Sequence, residues 1–428
     1  MPAAVRASLS AREVNRPSFR APAARRDPER VTPALLADVR RHGRFDAHCL
    51  NCGSCAVACE LSDESITLPR RPIRAVLLGL KRSTRESLEP WVCHDCGDCA
   101  IACPQKANPA ESMRTLRRYL TGQYDITGLS RRILRSRAWH LGALGVVFAI
   151  VLALLVVYHL HWGELTMTDF VSTALPMEHM FPKIRYFTWI VYGIPLVFLT
   201  LHALRMQRMT MGRSGVPLRH YAMEAWTIFV QVVTQKRMRQ CPAEQRKLRA
   251  LELFREEGRE AGVRLVPRRW LKHWLMAAGT MVMIVITGLF LSWFQTDAVH
   301  AWYHPQRALG YLASACIVWA TTDILVRRVR TPRAERRPNA LAMPLLLWLT
   351  VVSGLAVHVV RMLGLELTTH YAYAVHLLIT VPMLVVELPF GEWAHMIDRP
   401  LALYFHAVRL RAAAELPPEA GLAPAHVP

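Results

Sequence analysis

The chain contains few acidic residues and none of the common motifs that bind nucleotides. Asp and Glu number 32 against 53 Lys and Arg, which gives a formal net charge of +21 at pH 7. The bases fall in clusters between long apolar runs and not along one aromatic-studded face, so nucleic acid is not an expected partner. Because the sequence has no Gly-rich dinucleotide fingerprint, phosphate-binding loop or nucleophile motif, flavin or nicotinamide chemistry would belong to another chain.

Cysteine is scarce outside two short clusters. Eight of the ten Cys lie in these clusters, and Cys241 and Cys316 stand alone. The tight spacing is typical of metal ligands, which argues against a disulfide framework and favours a reducing compartment. No apolar run follows the bases of residues 1–44, so this segment is predicted to be a disordered basic arm and not a signal peptide.

The chain is too apolar for a wholly soluble protein, since 52% of its 428 residues are hydrophobic and its mean hydropathy is +0.17. Apolar segments of roughly 20 residues, the length that crosses a bilayer, predict six membrane spans. Asp323 interrupts the fourth span, and Pro382 and Glu387 interrupt the sixth. The predicted spans are 138–160, 186–204, 270–294, 305–326, 341–363 and 371–391.

The bases are concentrated in the even-numbered loops. Sixteen Lys and Arg lie in 205–272 and six in 327–337, while the odd-numbered loops carry few. This bias predicts a multi-pass protein of the inner (cytoplasmic) membrane, with both termini and the cysteine-rich region in the cytoplasm. The loop 205–269 is predicted to contain an amphipathic stretch, 221–238, and a charged helix, 243–261, which either lie on the anionic leaflet or have a specific docking role.

Both cysteine clusters have the spacing C-x2-C-x2-C-x3-C. Three closely spaced thiolates can hold three irons of one cubane, while the fourth Cys serves the other cluster in two-cluster ferredoxins. Two zinc sites or a set of reduced thiols are the alternatives, although four Cys within eleven residues suit tetrahedral zinc poorly. The predicted ligand sets are Cys49, Cys52, Cys55 with Cys103, and Cys93, Cys96, Cys99 with Cys59.

These segments predict an all-α chain, in which a helical dicluster ferredoxin domain with two [4Fe-4S] clusters is followed by a six-helix transmembrane bundle. Helical periodicity in 70–88 and 111–120 supports the helical character of the cysteine-rich region. The predicted divisions are the basic arm 1–44, the ferredoxin domain 45–125, membrane spans 1–2 in 138–204, the basic cytoplasmic loop 205–269, spans 3–6 in 270–391 and a cytoplasmic tail 392–428.

The run from Cys49 to Leu120 resembles the C subunits of heterodisulfide reductases. The likeness rests on residues 68–71 (LPRR) with the amphipathic helix after them, on 91–93 (WVC) and on 113–117 (MRTLR). With its six spans, the chain is similar to the C subunits of quinone-interacting membrane-bound oxidoreductases, whose membrane half is similar to the cytochrome b subunits of heterodisulfide reductase and respiratory nitrate reductase. The resemblance implies b-type haem, exchange with quinone and a cytoplasmic flavin or iron-sulfur partner subunit. Because the chain lacks a Cys-Cys pair, we do not expect it to reduce a disulfide by itself.

Histidines inside the spans are candidate haem ligands, because titratable side chains at membrane depth are costly and face the bundle interior. His358 and His376 reach a similar depth on spans 5 and 6, and His273 lies near the inner face. These three are predicted to hold one or two b-type haems, with His202 as the next candidate; the alternative is that they are interfacial or helix-bonded histidines. Glu387 is predicted either to handle quinone protons or to form a structural hydrogen bond across the bundle.

The leading hypothesis is a membrane-bound electron-transfer subunit of a quinone-linked oxidoreductase complex, which would pass electrons between a cytoplasmic partner and the quinone pool. Within this class, the alternative is a flavoprotein-linked subunit of tricarballylate or citrate utilisation. From other classes, a membrane-anchored iron-sulfur sensor and a proton-relay transporter remain open.

Overall fold

The computed structural model describes residues 29–62, 66–162, 177–212, 214–239, 268–290, 293, 301, 303–330 and 341–415. Within these residues the chain is helical and forms no strand, which confirms the predicted all-α class. Residues 1–28, Cys241, the predicted charged helix 243–261 and residues 416–428 lie outside the described residues. The chain divides into two compact units, which we call the cluster unit (Met1–Ile126, His202–Leu265 and His395–Pro428) and the membrane unit (Thr127–Leu201 and Val266–Ala394).

The N-terminal part of the cluster unit is built from short helices around one long one. In residues 29–126, as far as the structure describes them, the helices are α1 (Leu35–Arg40), α2 (Ser54–Val57), α3 (Arg70–Leu77), α4 (Lys81–Glu86), α5 (Glu89–Val92), α6 (Asp98–Ile101) and α7 (Pro109–Tyr124). The long helix α7 begins two residues before the predicted 111. Pro109 occupies its first turn, where the missing N–H costs nothing, and the Asn108 side chain accepts a hydrogen bond from the Glu111 N–H at 3.2 Å.

The cluster unit extends beyond the predicted ferredoxin domain on both sides. The arm does not extend to residue 44 as a disordered segment, because α1 buries Leu35 and Val39, one turn apart on one face, in the hydrophobic core. The segment predicted as a cytoplasmic tail contains α19 (His395–Ala414), which places Ala402, Phe405 and Val408 in the same core. Both segments carry apolar residues at helical spacing, and burial of this apolar area stabilises them.

The membrane unit contains helices that are long and apolar enough to cross a bilayer. The six candidate spans among the described residues are Arg137–Leu160, Tyr186–Thr210, Trp270–Leu289, Pro305–Arg330, Ala342–Met362 and Leu367–Phe390. They belong to helices α9 (Arg137–Trp162), α10 (Met177–Thr210), α14 (Arg268–Leu289), α15 (Pro305–Arg330), α16 (Ala342–Met362) and α17 (Glu366–Pro382) with the short segments that follow α17. A short helix, α8 (Leu129–Arg135), precedes α9. The prediction of a multi-pass membrane protein with six spans is therefore confirmed.

The spans of the membrane unit pack in sequence order, α14 against α15, α15 against α16 and α16 against α17, and α9 also packs on α17. Asp323 does not break span 4, because it pairs with Lys272 at 2.7 Å and with Arg327 at 2.9 Å. Pro382, in contrast, does alter span 6. It cannot donate a backbone hydrogen bond, and a π-helical turn, Met383–Glu387, follows it before α18 (Leu388–Phe390).

The first part of the long basic loop is helical. After α10 ends at Thr210, the chain forms α11 (Leu218–Met223), α12 (Ala225–Thr234) and α13 (Lys236–Arg239). Helices α11 and α12 both pack against α19 within the cluster unit. The amphipathic stretch predicted for 221–238 is therefore present as two helices with a break at Glu224 and a third short helix after Gln235.

Candidate iron-sulfur site and membrane histidines

The two cysteine loops are structural copies of each other, 44 positions apart in the sequence. Asn51 and Asp95 both adopt positive φ, of 55° and 60°, between the first and second Cys of their motifs. Gly53 and Gly97 follow with φ of 90° and 93° and stand immediately before α2 and α6. A residue with a Cβ adopts this left-handed backbone only with strain, which explains the Gly at both places. Each loop thus wraps its first three cysteines in the same way.

The structure brings the cysteines together in the crossed arrangement that the spacing predicts. Helices α2 and α6 pack against each other, which places the fourth Cys of each motif beside the other motif. One cleft is lined by Cys49, Cys52 and Cys55 of the first motif together with Cys103 of the second. Conversely, Cys59 of the first motif is close enough to Cys93 and Cys99 for its charge to act on them.

The chemistry of the thiols fits a multinuclear centre. Burial, and after it the nearby thiols of Cys93, Cys96 and Cys59, raise the pKa of Cys99 to about 12. Burial and neighbouring thiols also raise the pKa of Cys55. Such thiols do not ionise together unless cations compensate their charge, which bound iron would do.

Cubanes and zinc ions place different demands on the cysteines. A tetrahedral zinc site needs four ligands around a single ion. In a cubane, each iron takes its own thiolate, so the sulfurs stand farther apart. Four cysteines within eleven residues in each motif therefore suit two [4Fe-4S] clusters better than two zinc ions.

Two arginines hold the cysteine loops, and sequence reasoning did not identify their role. Arg70 Nε donates to Asn51 Oδ1 at 2.9 Å, and Arg114 Nε donates to Asp95 Oδ1 at 2.5 Å. Each arginine lies 19 positions after its loop partner, so the 44-residue repeat that relates the cysteines also relates the arginines. The signal was in the sequence, as the recurrence of Arg at the same distance from each motif.

The candidate haem ligands on spans 5 and 6 lie on packed helices but have separate partners. His376 Nδ1 shares a hydrogen bond with Ser353 Oγ at 2.9 Å, and its ring lies against Gly354, where an added Cβ would come within 3.3 Å of the ring. His358, one turn further along α16, shares a hydrogen bond through Nε2 with the Tyr311 hydroxyl at 2.6 Å. The structure thus brings the two histidines to neighbouring helices, about one turn apart.

The other predicted ligands, His202 and His273, have different surroundings. His202 is buried in the cluster unit, with its Nε2 3.8 Å from Asp125 Oδ1. Asp398 is also buried there; burial raises its pKa to about 6, although His202 and a hydrogen bond from the Thr121 hydroxyl oppose this shift. His202 therefore lies beside buried acidic side chains of the cluster unit. His273 lies half-buried on α14, near the N-terminal end of span 3.

Glu387 forms the hydrogen bond across the bundle that the sequence suggested. It lies in the π-helical turn of span 6 and pairs with His140 Nε2 of span 1, and both side chains are buried. Gly391 is required beside it, because a Cβ at that position would overlap the Glu387 carboxylate. The structural interpretation of Glu387 is therefore supported, and the same pair is a buried acid and base in hydrogen-bond contact.

Comparison with known proteins identifies the class of the cysteine-rich segment. Residues 48–108 match the family of 4Fe-4S dicluster domains. A protein from Archaeoglobus profundus, described as similar to the C subunit of heterodisulfide reductase, is 33% identical over 90 residues, which cover 21% of this chain and 48% of that relative. The chain therefore matches about half the length of the relative. No solved structure matches the chain.

These findings confirm the predicted resemblance over the cysteine-rich segment. The chain carries a 4Fe-4S dicluster domain, joined to a membrane part with six candidate spans, and its iron-sulfur domain supports an electron-transfer role.

Proposed function

We propose that the protein is a membrane-bound electron-transfer subunit, which passes electrons between a cytoplasmic flavin or iron-sulfur partner and the quinone pool. The observation that carries the proposal is the fusion of two crossed cysteine loops to six candidate spans in one chain. Two adjacent cubanes are suited to accepting and relaying single electrons, and a membrane bundle gives access to a lipid-soluble acceptor. The proposed route of the electrons consists of two [4Fe-4S] clusters, one or two b-type haems and quinone.

The surface around the cysteines offers a docking place for the cytoplasmic partner. Val57 and Ile101 occupy equivalent positions between the third and fourth Cys of the two motifs, and they are 91% and 87% exposed. Leu50 and Cys52 are also exposed beside them. Apolar side chains that are exposed next to redox ligands are typical of interaction sites, because their burial by a partner excludes water and brings the cofactors close.

His376 is the best candidate for a haem ligand. A hydrogen bond donated by Nδ1–H, such as one to Ser353 Oγ, fixes the ring and leaves Nε2 to bind a metal. Gly354 provides room beside the ring. His358 and His273 are the proposed further ligands, but His358 would have to release Tyr311 to bind through Nε2. When bound, b-type haem would supply one-electron chemistry within the bilayer.

Quinone reduction takes up two protons with two electrons, and its reversal releases them. We propose that the buried pair of Glu387 and His140 exchanges one of these protons. The pair is supported in this role by its burial, its direct hydrogen bond and its position in a π-helical turn, a feature that is frequent at functional sites.

The experiment uses the full chain, purified without oxygen and placed in lipid nanodiscs. The protein is reduced with dithionite, freed of excess reductant, and mixed with a short-chain quinone while the visible absorption of the clusters is followed. We expect the clusters to be reoxidised as quinol forms. A sensor or a transporter would keep its clusters reduced after the quinone is added, and this result would overturn the proposal.

Glu387→Gln provides a matched test of the proton step, because Gln keeps the size and hydrogen-bonding capacity of the side chain but cannot exchange the proton. We expect quinone to reoxidise this variant more slowly, while a soluble one-electron oxidant such as ferricyanide reoxidises it at the unchanged rate. Equal quinone rates in the variant and the original protein would remove Glu387 from the proposal but leave the electron-transfer function intact.

A further inference from the structure

Helices α11 and α12 present an apolar face that the cluster unit leaves uncovered. Leu218 is 81% exposed, Trp226 is 69% exposed and Phe229 is 53% exposed, and Met223 and Val233 continue the same surface. The rings of Trp226 and Phe229 stack with their centroids 4.8 Å apart. We call these five side chains the apolar face. A stacked pair of exposed aromatic rings with further large exposed apolar side chains on the same two helices marks an interaction surface.

The opposite side of the two helices is fixed to the cluster unit. The Tyr404 hydroxyl donates to the Tyr221 carbonyl at 2.7 Å, and Arg411 Nε donates to Glu224 Oε1 at 2.5 Å. The side chain of Glu224 also accepts a hydrogen bond from the Thr227 hydroxyl. Because these contacts hold the helices against α19, their rotation is set and the apolar face points outward in a defined direction.

The position of the helices in the chain indicates what covers this face. The helix of span 2, α10, leaves the membrane unit after Leu201 and ends at Thr210, and α11 begins at Leu218. Residues 202–210 add about 14 Å of helix and the seven residues after them at most ~25 Å when fully extended, so α11 begins within ~40 Å of chain from the last membrane-unit residue of span 2. The loop is also restrained, because Arg409 donates a hydrogen bond to the Thr210 carbonyl.

The charge at the end of α12 fits the same partner. Lys236 and Arg239 follow directly in α13, and both are exposed. A helix with aromatic and aliphatic residues on one side and bases at its end is typical of segments that lie in the headgroup region of an anionic membrane.

We propose that the apolar face lies in the interfacial layer of the bilayer, with Trp226 and Phe229 at the boundary of headgroups and acyl chains. The occupant of this surface is therefore phospholipid, with an anionic fraction that the bases attract. The proposal is independent of the redox function, because it rests on the exposed face, on its attachment to α19 and on its distance from span 2.

The test uses the full chain in nanodiscs of phosphatidylcholine and phosphatidylglycerol that contain a phospholipid with a diazirine near the glycerol backbone. After irradiation, adducts are mapped by mass spectrometry. We expect adducts on Met223, Trp226 and Phe229. A second lipid, which carries the diazirine in its acyl chain, serves as the insertion control. It should label Leu196 and Val197, which are exposed on span 2, and this labelling shows that the protein is inserted.

A double variant, Trp226→Glu with Phe229→Glu, should fold because both side chains are more than half exposed. Its adducts on 218–234 should fall to the level of the sample that was not irradiated, while span 2 remains labelled. Leu78→Glu, which places one negative charge on an exposed Leu of the cluster unit outside the apolar face, is the control and should leave the labelling unchanged. Labelling of span 2 without labelling of Met223, Trp226 or Phe229 in the original protein would overturn the proposal, as would cross-links from this face to a second copy of the chain.

Discussion

Because the ligand sets are crossed, we predict that Cys59 serves the cluster of the second motif. The sequence motif taken by itself would assign Cys59 to the first cluster. Although Cys59 belongs to the first motif in sequence, the structure places it beside Cys93 and Cys99 of the second. Replacement of Cys59 by Ala should therefore damage the cluster that the second motif holds. Two intact cubanes correspond to about eight iron atoms per chain, so complete loss of one leaves about four.

Double variants distinguish the two arrangements by iron content. If the sets are crossed, Cys59→Ala with Cys93→Ala removes two ligands of the same cluster, and about four irons should remain. Cys59→Ala with Cys49→Ala removes one ligand from each cluster, and most of the iron should be lost. Cys316→Ala, at a cysteine outside both motifs, is the control and should keep about eight irons.

The assay is the iron content of anaerobically purified full-length protein, together with the electron paramagnetic resonance spectrum of the dithionite-reduced sample. The variant with Cys59 and Cys93 replaced should retain one reduced-cluster signal, and the variant with Cys59 and Cys49 replaced should retain none. The reverse pattern, or equal iron in the two double variants, would refute the crossed sets. Stoichiometric zinc without visible charge-transfer absorption would refute the clusters themselves.

Three further predictions concern stability, haem and orientation. Burial raises the pKa of Glu89 from 4.5 to about 7; its proton is therefore bound more tightly in the folded protein, and the stability it contributes is full below pH 4.5 and is lost as the pH rises through 7. The shift corresponds to about 3 kcal/mol. At about pH 8.5 the free energy of unfolding of Glu89→Gln should therefore exceed that of the original protein by up to this amount, and near pH 4.5 the two should be equal. Denaturant titrations that give the same difference at both pH values would contradict this. His376→Ala should remove or shift one haem band while the cluster resonances stay intact, and an unchanged optical spectrum would exclude His376 as a ligand. Reporter fusions after Arg330 should be cytoplasmic and those after Asp297 external, and the opposite pattern at both sites would reverse the proposed orientation.

The sequence was sufficient to predict the fold class and the number of spans. Long apolar runs and the Asn108-Pro109 pair are local signals, because each depends on neighbouring residues alone. The ends of the cluster unit could not be predicted in the same way. Leu35 and Phe405 look unremarkable in the sequence, and only the tertiary packing of distant segments shows that both enter the core around α7.

In the candidate site, the roles of the cysteines could be predicted from the sequence, whereas the partners of the histidines could not. The cysteine spacing is a local pattern with few chemical alternatives, and the crossed sets follow from it. The histidines are different, because a lone His on an apolar helix can be a ligand, a hydrogen-bonded residue or half of an ion pair. The partners of His202 and His140, which are Asp125 and Glu387, lie 77 and 247 positions away in the chain, so no local pattern could reveal them.

Haem in the membrane half is proposed to join the cubanes to quinone, and an optical difference spectrum reports on that step. The full chain in nanodiscs should show b-type haem bands in the dithionite-reduced minus oxidised spectrum, and these bands should disappear when a short-chain quinone is added. A spectrum that contains only cluster bleaching, or haem bands that quinone leaves fully reduced, would contradict the proposed route of electrons through the membrane.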